Sequence, residues 1–308
     1  MKKIVWLILA LILFPAAGLR AEEQARLFPV KKDGKWGYID RAGKIVIKPQ
    51  FEDALILIEG LGPVKKDGKW GYVDKSGKIV IQPQFIEARP FSEGLAAVNP
   101  LGLKWGYLDA SFARTGKLAT EAKYEEAGRF SQGLAIVEFG TGLGLFCGYI
   151  NKSGSFAFKG NFIECLPFSE GIALVEFRSA GYYLIDSTGK NVEAFDYGFY
   201  PIGATSEQLV PVDQKGPAKY GYYDLKQKQA AIPTRFDKVK SFSEGFAPVK
   251  EGGKWGYIGK DGNYAIPAQF DDAFEFQDGI AMVKTGTKIG YVDHAFGVTG
   301  KFVWEPSE

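Results

Sequence analysis

The stretch V-K-K-D-G-K-W-G-Y-I-D occupies residues 30–40 and returns, with one change, as V-K-K-D-G-K-W-G-Y-V-D at residues 64–74. In both copies an Asp-Gly pair separates two apolar stretches. This pattern predicts a β-hairpin, because a tight primed turn needs positive φ and glycine adopts positive φ without strain. A second turn of the form Asp-x-x-Gly-Lys follows at residues 40–44 and 74–78, and a short apolar run comes after it. Each copy therefore predicts three antiparallel strands joined by two turns.

The same unit can be followed along nearly the whole chain. A bulky apolar residue, with valine three positions later, marks the start of eight units spaced by 34 to 39 residues. The aromatic residues of the connector after the third strand recur in phase, so we expect the connector to pack between units rather than to form a free loop. The predicted repeats span residues 27–60, 61–94, 95–133, 134–171, 172–208, 209–245, 246–279 and 280–308.

The predicted fold is all-β, a tandem array of eight three-stranded antiparallel repeats. Repeats of this size cannot fold alone and gain stability by burying a continuous core against their neighbours. They can stack as an open solenoid or close into an eight-bladed β-propeller. Since three strands fall short of the usual four-stranded blade, we predict an open, curved solenoid, with the propeller as the alternative. A short distance between the first and the eighth repeat would establish the propeller.

Residues 1–21 have the features of a secretory signal peptide. Lys2 and Lys3 precede eleven apolar residues, and small residues follow up to Ala21. An uncleaved membrane anchor is the alternative, because the apolar character nearly continues to Leu19. We predict cleavage, which leaves residues 22–308 as one repeat domain without a membrane span, exported to the periplasm or the extracellular space.

The charge balance argues against a nucleic-acid partner. The chain has 38 basic and 36 acidic residues, and three of the basic residues lie in the predicted leader. The mature chain then has 35 basic residues against 36 acidic ones, a net charge of about −1. Binding to nucleic acid needs a basic surface that neutralises phosphates, and the mature chain as a whole does not have one.

A Lys-Trp-Gly-Tyr core occurs four times, at residues 35–38, 69–72, 104–107 and 254–257. These cores resemble the WG-repeat family of bacterial proteins, and the resemblance covers nearly all of residues 27–308. It implies a β-strand repeat of variable copy number, without one agreed activity. The sequence is also distantly similar to the hairpin repeats of choline-binding and cell-wall-binding proteins, a likeness that does not carry function. Four repeats depart from the family at the tryptophan position, with Cys147, Gly181, Tyr220 and Ile289.

We interpret the aromatic residues of these cores as the structural core of the repeats. A tryptophan removes about 150–250 Å² from water when it is buried, and a small hairpin needs such burial to dock on its neighbour. The alternative is that the tryptophans are stacking platforms for sugar or choline. The residues are Trp36, Trp70, Trp105, Trp255, Tyr38, Tyr72, Tyr107 and Tyr257.

A lysine precedes the tryptophan position in six repeats and is our candidate binding residue. In a regular stack these lysines would form a row that can meet an anionic polymer or a lipid headgroup. The alternative is a solvated edge that prevents strand pairing between molecules. Heparin binding that vanishes at modest salt would favour the row. The residues are Lys35, Lys69, Lys104, Lys219, Lys254 and Lys288.

Acidic residues occur in pairs in the connectors, as Glu52-Asp53, Glu125-Glu126 and Asp271-Asp272. Neighbours on a strand point to opposite faces, whereas the two carboxylates of a glycosidase face each other at about 5–10 Å. The recurrence of the pairs in one connector position indicates a structural role. The single histidine, His294, lies in a terminal turn and is predicted to be exposed, with neither a catalytic triad nor a His-rich metal site around it. We predict no catalytic residue, no metal and no cofactor.

Cys147 and Cys165 are the only cysteines in the sequence. The alignment of the repeats puts Cys147 at the tryptophan position and Cys165 where other connectors have alanine. If that tryptophan packs on that alanine within a unit, the two sulfurs are neighbours in the fourth repeat. An exported protein reaches an oxidising compartment, so we predict a disulfide. Two buried free thiols are the alternative.

Three functions are open at this point. We favour an exported, non-catalytic binding or scaffold module for a protein or an envelope glycan, from the leader, the in-phase aromatic residues and the absence of a catalytic cluster. The second is a carbohydrate-active enzyme that uses the connector carboxylates, and the third is a purely structural spacer. One convergent pocket with shifted carboxylates would favour the enzyme. An even, repeated surface would favour the binding module.

The Trp70→Ala variant, in an interior repeat, is expected to lose roughly 3–5 kcal/mol of unfolding free energy, because a large buried ring leaves a cavity behind. Thermal unfolding of the variant and the wild type measures this loss. An unchanged melting curve would show that the tryptophan is not part of the core.

Overall fold

A computed structural model describes residues 26–141, 144–178, 181–195, 199–214 and 219–307. The predicted leader lies outside the described residues. The described chain is built of β-strands and two one-turn helices, α1 (Phe112–Thr115) and α2 (Phe296–Thr299). Neither helix has the length and apolar character needed to cross a membrane. The prediction of an all-β repeat protein is confirmed.

Each repeat contains a hairpin followed by a third strand. The first half of the chain contains β1 (Phe28–Lys32), β2 (Lys35–Ile39), β3 (Ile45–Phe51), β4 (Asp53–Ala54), β5 (Leu61–Lys66), β6 (Lys69–Asp74), β7 (Ile79–Phe85), β8 (Glu87–Ala88), β9 (Leu95–Asn99), β10 (Trp105–Asp109), β11 (Thr120–Tyr124), β12 (Glu126–Ser131), β13 (Leu134–Thr141), β14 (Gly144–Ile150) and β15 (Phe156–Cys165). The second half contains β16 (Ile172–Phe177), β17 (Gly181–Asp186), β18 (Asn191–Phe195), β19 (Phe199–Pro201), β20 (Leu209–Gln214), β21 (Tyr220–Asp224), β22 (Gln229–Phe236), β23 (Lys238–Val239), β24 (Phe246–Glu251), β25 (Lys254–Gly259), β26 (Tyr264–Phe270), β27 (Asp272–Ala273), β28 (Ile280–Thr285), β29 (Lys288–Asp293) and β30 (Trp304–Ser307).

The described strands form seven antiparallel sheets, in which each strand pairs with its neighbour along the chain. The first sheet has three strands, β1 to β3. Strands β12 to β18 join in one sheet of seven, because β15 pairs with β14 at one end and with β16 at the other. The remaining sheets have four strands each and run from β4 to β7, β8 to β11, β19 to β22, β23 to β26 and β27 to β30.

The connector supplies the fourth strand of these sheets. In the second repeat, Asp53 and Ala54 of the connector pair with Lys65 and Val64 of the following hairpin. The three strands predicted for each repeat are present, and a short strand that the sequence did not predict completes the sheet. Each connector is therefore shared between two repeats.

Two kinds of glycine explain the repeated motif. Asp33 and Gly34 have φ angles of 52° and 75°, as the primed hairpin turn requires. Gly37, after the tryptophan, is needed for space. A β-carbon at Gly37 would lie 2.4 Å from the carbonyl oxygen of Ile47, since the third strand shifts its register against the second strand at this point.

A tyrosine hydroxyl joins each of six repeats to the next connector. The described part of the fifth repeat has no such bond, because the strand register puts Tyr182, and not Gly181 as predicted, at the tryptophan position and Leu184 at the tyrosine position. In the six repeats, the hydroxyl donates a hydrogen bond to a backbone carbonyl over 2.7–2.9 Å. All six tyrosines are buried, and burial raises the pKa of each phenol, so that the hydroxyl keeps its proton. The pairs are Tyr38–Leu55, Tyr72–Arg89, Tyr107–Gly128, Tyr149–Leu166, Tyr222–Lys240 and Tyr257–Phe274.

A related tyrosine contact, to the hairpin strand instead of a connector, closes the array, as Tyr38 also bonds to Pro63 of the next hairpin. Tyr291 of the eighth repeat donates its hydroxyl to the carbonyl of Pro29 in the first repeat, at 2.8 Å. Its ring lies edge-on to Phe28, with 5.7 Å between the centroids, and Arg26 forms an ion pair with Asp278 at 3.1 Å. The eight-bladed propeller, our alternative, therefore describes the array, and the open solenoid does not. The strand count pointed to the open form because it omitted the connector strand.

A belt of side chains runs around the ring beside the starts of the hairpins. Here each connector ends in a turn with the sequence Ser-Glu-Gly or a similar one. The side chain of the middle residue of this turn accepts a hydrogen bond from a backbone N–H in the corresponding turn of the next repeat. Glu59 accepts from Glu93 and Gly94 at 2.7 and 2.9 Å. The belt adds a second hydrogen-bonded series to the one made by the tyrosines. The further acceptors are Glu93, Gln132, Glu170, Glu207 and Glu244.

The Tyr291→Phe variant is expected to loosen the ring at its closure. The buried Pro29 carbonyl loses its hydroxyl donor, and an unsatisfied buried acceptor costs about 1–3 kcal/mol. Urea unfolding should shift to lower concentrations, and hydrogen exchange should quicken in residues 28–39 and 288–293.

The Tyr72→Phe variant is the matched control, because it removes the same hydroxyl at an interior interface. It should lose similar stability while exchange in residues 28–39 stays at the wild-type rate. Unchanged exchange at the closure in the Tyr291→Phe variant would contradict a ring that is held closed by this bond.

Candidate functional site

The turns of the hairpins lie along one edge of the ring, which we call the hairpin rim. The belt and the Asp-x-x-Gly-Lys turns lie at the opposite ends of the same strands. Neighbouring repeats touch at the hairpin rim: the carboxylate of Glu52 accepts the N–H groups of Asp67 and Gly68, in the next turn, at 2.9 and 3.0 Å. The rim is therefore a continuous surface built from equivalent positions of successive repeats.

The first acidic residue of a connector links two repeats at this rim. Asp271 accepts a hydrogen bond from the ammonium of Lys254 at 2.5 Å and from the N–H of Gly286, in the next hairpin turn, at 2.6 Å. These two donors, the Gly286 N–H first, hold the pKa of the Asp271 carboxyl below its usual range. The Lys219 ammonium, 2.5 Å away, does the same to the pKa of Asp237.

The second acidic residue of each pair also has a structural contact. Asp53 accepts the N–H of Ala54 at 2.8 Å. Glu126 pairs with Arg89 of the preceding connector at 2.5 Å, and Asp272 pairs with Lys240 at 3.3 Å. The connector carboxylates therefore serve contacts between repeats, the role that their recurrence indicated.

The six lysines of the predicted row are all at the hairpin rim, and three of them have acidic partners there. Lys104 pairs with Glu125, and Lys219 and Lys254 pair with Asp237 and Asp271. The other three belong to repeats 1, 2 and 8, where Lys35 and Lys288 are exposed and Lys69 is half-buried. Binding of a polyanion by this row of lysines stays a prediction. Acidic neighbours balance the charge of three of the six lysines.

The aromatic residues of the cores differ in their exposure. The four predicted tyrosines are fully buried, and Trp105 and Trp255 are 4% and 6% exposed. A cation covers each of these two rings: Arg89 lies 4.6 Å from the Trp105 centroid and Lys240 lies 4.9 Å from the Trp255 centroid. Stacking of a sugar on these two tryptophans would require the cations to move. The remaining two, Trp36 and Trp70, are half-buried.

Cys147 and Cys165 form a disulfide, with a Cα–Cα distance of 6.0 Å. The pair stands where tryptophan and alanine share one apolar cluster in other repeats, as Trp105 and Ala127 do. The bond lies in a cluster with Tyr149 and links the hairpin of the fourth repeat to the connector behind it.

His294 is exposed, as predicted, but has defined contacts. Its imidazole lies 3.1 Å from the carboxylate of Glu244 in the belt and packs on the ring of Phe276, at 4.4 Å between centroids. No cluster of three metal-ligating side chains occurs within the described part of the chain.

Five exposed aliphatic side chains at the hairpin rim were missed by the sequence analysis, and we call them the apolar rim. They belong to the second to fourth repeats. Leu101 and Leu103, in the third hairpin turn, are 79% and 73% exposed. Ile86 stands at the connector position of Glu52, and it lies beside Gly102 of the same turn. The whole set is Ile86, Leu101, Leu103, Leu145 and Ile163.

A sequence signal for the apolar rim exists. The third hairpin turn reads Leu-Gly-Leu-Lys where the first two read Asp-Gly-Lys, so that a leucine replaces the aspartate and a second leucine is inserted before the lysine. Isoleucine replaces the first connector acid at Ile86 and Ile163. The isoleucines lack the carboxylate with which Glu52 holds the next turn, and the leucines put aliphatic side chains into the turn itself. Together they turn a charged edge into an aliphatic one.

The family model described as WG containing repeat matches residues 36–70, 70–102, 105–140, 148–179, 220–255 and 255–288. No curated protein matches the sequence.

Several solved structures are similar in fold. The computationally designed Ika8 protein has a TM-score of 0.55 at 12% identity, over 92% of each chain. BamB from Moraxella catarrhalis has a TM-score of 0.55 at 9% identity, over 88% of this chain and 96% of its own. Apo AztD from Citrobacter koseri has a TM-score of 0.52 at 14% identity, over 90% and 93%. At such identities the likeness concerns the propeller-like fold alone.

The Asp271→Asn variant is expected to be less stable than the wild type at neutral pH. The folded pKa of Asp271 lies below the ordinary value of about 3.9. The contribution of the ionised Asp271 to the free energy of unfolding is therefore complete above a pH of about 3.9. It is lost as the pH falls through the lower pKa of the folded protein. Urea unfolding at pH 7 and at pH 3 should show a gap between the two proteins that narrows in acid. The exposed Glu121→Gln change is the control and should leave the midpoint unchanged at pH 7, and a gap for Asp271→Asn that is equal at both pH values would contradict the assignment.

Proposed function

The chain belongs to the WG containing repeat family, as its Lys-Trp-Gly-Tyr cores predicted, and we propose that it is an exported, non-catalytic module that binds another protein through the apolar rim. The repeat fold is of a kind that presents extended binding surfaces. The observation that carries the proposal is the exposure of Leu101 and Leu103, at 79% and 73%.

Exposed aliphatic residues on one edge favour a binding surface. Each Å² of apolar surface that is buried in an interface contributes about 25 cal/mol, and grouped apolar residues at a surface are typical of interaction sites. Leu101, Leu103 and Ile86 come from one turn and the connector beside it, so they present one surface. A purely structural spacer has no use for such a surface.

The chemistry of the apolar rim favours protein over glycan. Sugars bind by stacking on the flat face of an aromatic ring, and the rim has leucine and isoleucine instead. The rings of Trp105 and Trp255 are buried under cations. Branched aliphatic side chains suit the apolar centre of a protein interface.

The charges beside the apolar rim define the partner further. Lys69, a lysine of the hairpin rim, lies in the second repeat together with Ile86. A partner with acidic residues around an apolar centre would meet both parts, and its charges would guide it to the correct orientation. We therefore propose an acidic protein surface with an aliphatic centre.

The carbohydrate-active enzyme is the weaker candidate. A glycosidase needs a carboxylic acid with a raised pKa beside a second carboxylate. The pKa values of Asp237 and Asp271 are instead lowered by lysine and backbone donors. Both carboxylates are engaged in contacts between repeats.

Export rests on two features. Lys2, Lys3 and the apolar run behind them have the pattern of a secretory leader. The disulfide between Cys147 and Cys165 suits an oxidising compartment outside the cytosol.

The test compares three forms of the mature protein as bait for an envelope extract. The first is the wild type, and the second is the Leu101→Ser, Leu103→Ser double variant. The third is the Val192→Ser, Val298→Ser variant. It removes two exposed aliphatic side chains that lie outside the apolar rim, with exposures of 57% and 94%. We expect a protein that the wild type and the control retain and the rim variant loses.

The captured protein is then purified and titrated against each form. The rim variant should bind at least about tenfold more weakly than the control, a difference of about 1.4 kcal/mol. Equal binding by all three forms would refute the apolar rim as the site. Binding to an envelope glycan in place of a protein would refute the class of partner.

A further inference from the structure

At the closure of the ring, the described residues form no connector strand. In the second repeat, a connector strand pairs with the outer edge of the hairpin, as Ala54 does with Val64. The first sheet ends at β1, and no described residue pairs with the free edge of that strand. No residue of the described ranges therefore takes, between the eighth and the first repeat, the place that a connector strand takes in the second repeat.

At the closure, Phe28 takes the place of one connector side chain. At five other interfaces a connector phenylalanine packs against the core tyrosine, as Phe91 does edge-on to Tyr72 at 5.2 Å. At the closure Phe28 takes this place against Tyr291. Six of the other repeats have glycine or alanine at the position of Phe28, and one has valine. The ring of Phe28 thus takes the place of the connector phenylalanine. No described residue takes the place of the connector residues that precede this phenylalanine.

A cavity of about 350 Å³ lies in the remaining space. Its walls come from the first and eighth repeats and from the neighbouring connectors, and they are mostly apolar. Three polar side chains also face it, those of Asp53, Glu275 and Gln277. The cavity is therefore an apolar slot with two acidic groups and an amide in its wall.

Other interfaces show what a connector places in this slot. In the second connector, the guanidinium of Arg89 lies 4.6 Å from the Trp105 centroid and 2.5 Å from the carboxylate of Glu126. A cation between a ring face and a carboxylate is held by both, since the ring quadrupole and the negative charge attract it. The seventh repeat has the same arrangement, formed by Lys240, Trp255 and Asp272.

The closure has the ring and the carboxylate of this arrangement but not the cation. Trp36 and Asp53 stand at the positions of Trp105 and Glu126, and both line the cavity. Asp53 accepts the N–H of Ala54, as Glu126 accepts that of the following alanine, and no described cation lies within ion-pair distance of it. Trp36 is half-buried, whereas the two tryptophans under a cation are buried.

An unsatisfied hydrogen-bond acceptor lies in the same wall. Gln277 has a buried side-chain oxygen with no hydrogen-bond partner. Other repeats have serine at this position, and the hydroxyl of Ser92 donates to the carbonyl of Phe130 in the next connector. Among the described residues no connector takes this place at the closure, and Gln277 lies in the cavity wall without a donor to its oxygen.

We propose that this cavity is a second binding site, which takes an extended peptide segment of a partner protein with an arginine or lysine at its centre. The segment lies along the free edge of β1 as a connector would. Its cation stacks on Trp36 and pairs with Asp53, and Gln277 accepts one of its N–H groups. The site is distinct from the apolar rim, which lies in the second to fourth repeats.

The probe is a peptide that the protein itself provides, residues 86–90, Ile-Glu-Ala-Arg-Pro, with both ends blocked. It carries the arginine of the second connector and ends before the phenylalanine whose place Phe28 has taken. A second peptide has glutamine in place of the arginine. Titration of each into the mature protein, followed by NMR, gives the two affinities, and protection of residues 28–36 from hydrogen exchange locates the site.

The arginine peptide should bind at least about tenfold more tightly than the glutamine peptide, from the combined cation–π and ion-pair contacts. Asp53→Asn should abolish most of this preference, because asparagine keeps the acceptor for Ala54 and loses the charge. Glu87→Gln is the matched control, the same change at the equivalent position of the next connector, and should keep the preference. The Leu101→Ser, Leu103→Ser variant should bind both peptides like the wild type, which separates this test from that of the apolar rim.

Three results would overturn the proposal. The first is no binding of the arginine peptide at millimolar concentration, and the second is equal affinity for the two peptides. The third is a wild-type preference in the Asp53→Asn variant. Dimerisation that Asp53→Asn abolishes, without any peptide binding, would assign the cavity to a second copy of the chain instead.

Discussion

The hydrogen bond from a buried tyrosine hydroxyl to the next connector is the contact on which the ring depends. A backbone carbonyl that is buried without a donor is costly, and seven of the eight repeats supply a tyrosine hydroxyl at this point, the fifth having Leu184 there. The glycine beside this tyrosine lets the third strand approach, as Gly37 does below Ile47, and the hairpin holds both in place. Tyr291 makes the last bond to Pro29, which turns a chain of local contacts into a closed structure.

The contact between the tryptophan and alanine positions is more variable than the tyrosine bond. Trp105 packs with Ala127 in the third repeat, while Cys147 and Cys165 replace the same pair with a covalent bond in the fourth. The tyrosine next to that bond, Tyr149, keeps its hydroxyl contact. Filling the space between repeats can be achieved by several chemistries, whereas satisfying a buried carbonyl at one fixed point requires a donor at that point.

Sequence reasoning gave the all-β class, the eight repeats, the three strands of each and the pairing of the two cysteines. It succeeded there because turns and alternation are local and the alignment of repeats reports equivalent positions. It missed the two-residue strands such as Asp53-Ala54, which are too short to have a pattern of their own, and it therefore chose the wrong one of two arrangements. The apolar rim was missed for a different reason: exposure of Leu101 depends on what its neighbours cover, which one repeat does not reveal.

Closure has a consequence for how such a protein can change in evolution. Each interface sets an angle between two repeats. The bond between Tyr291 and Pro29 forms only when these angles sum to a full circle. An open array could gain or lose one unit by a single duplication and keep every remaining contact. In a closed ring, the angle at each interface fixes the number of repeats. One extra repeat would change every angle and strain all the interfaces. Variation in such a lineage should therefore appear in the loops and in the surface of individual units long before it appears in their number.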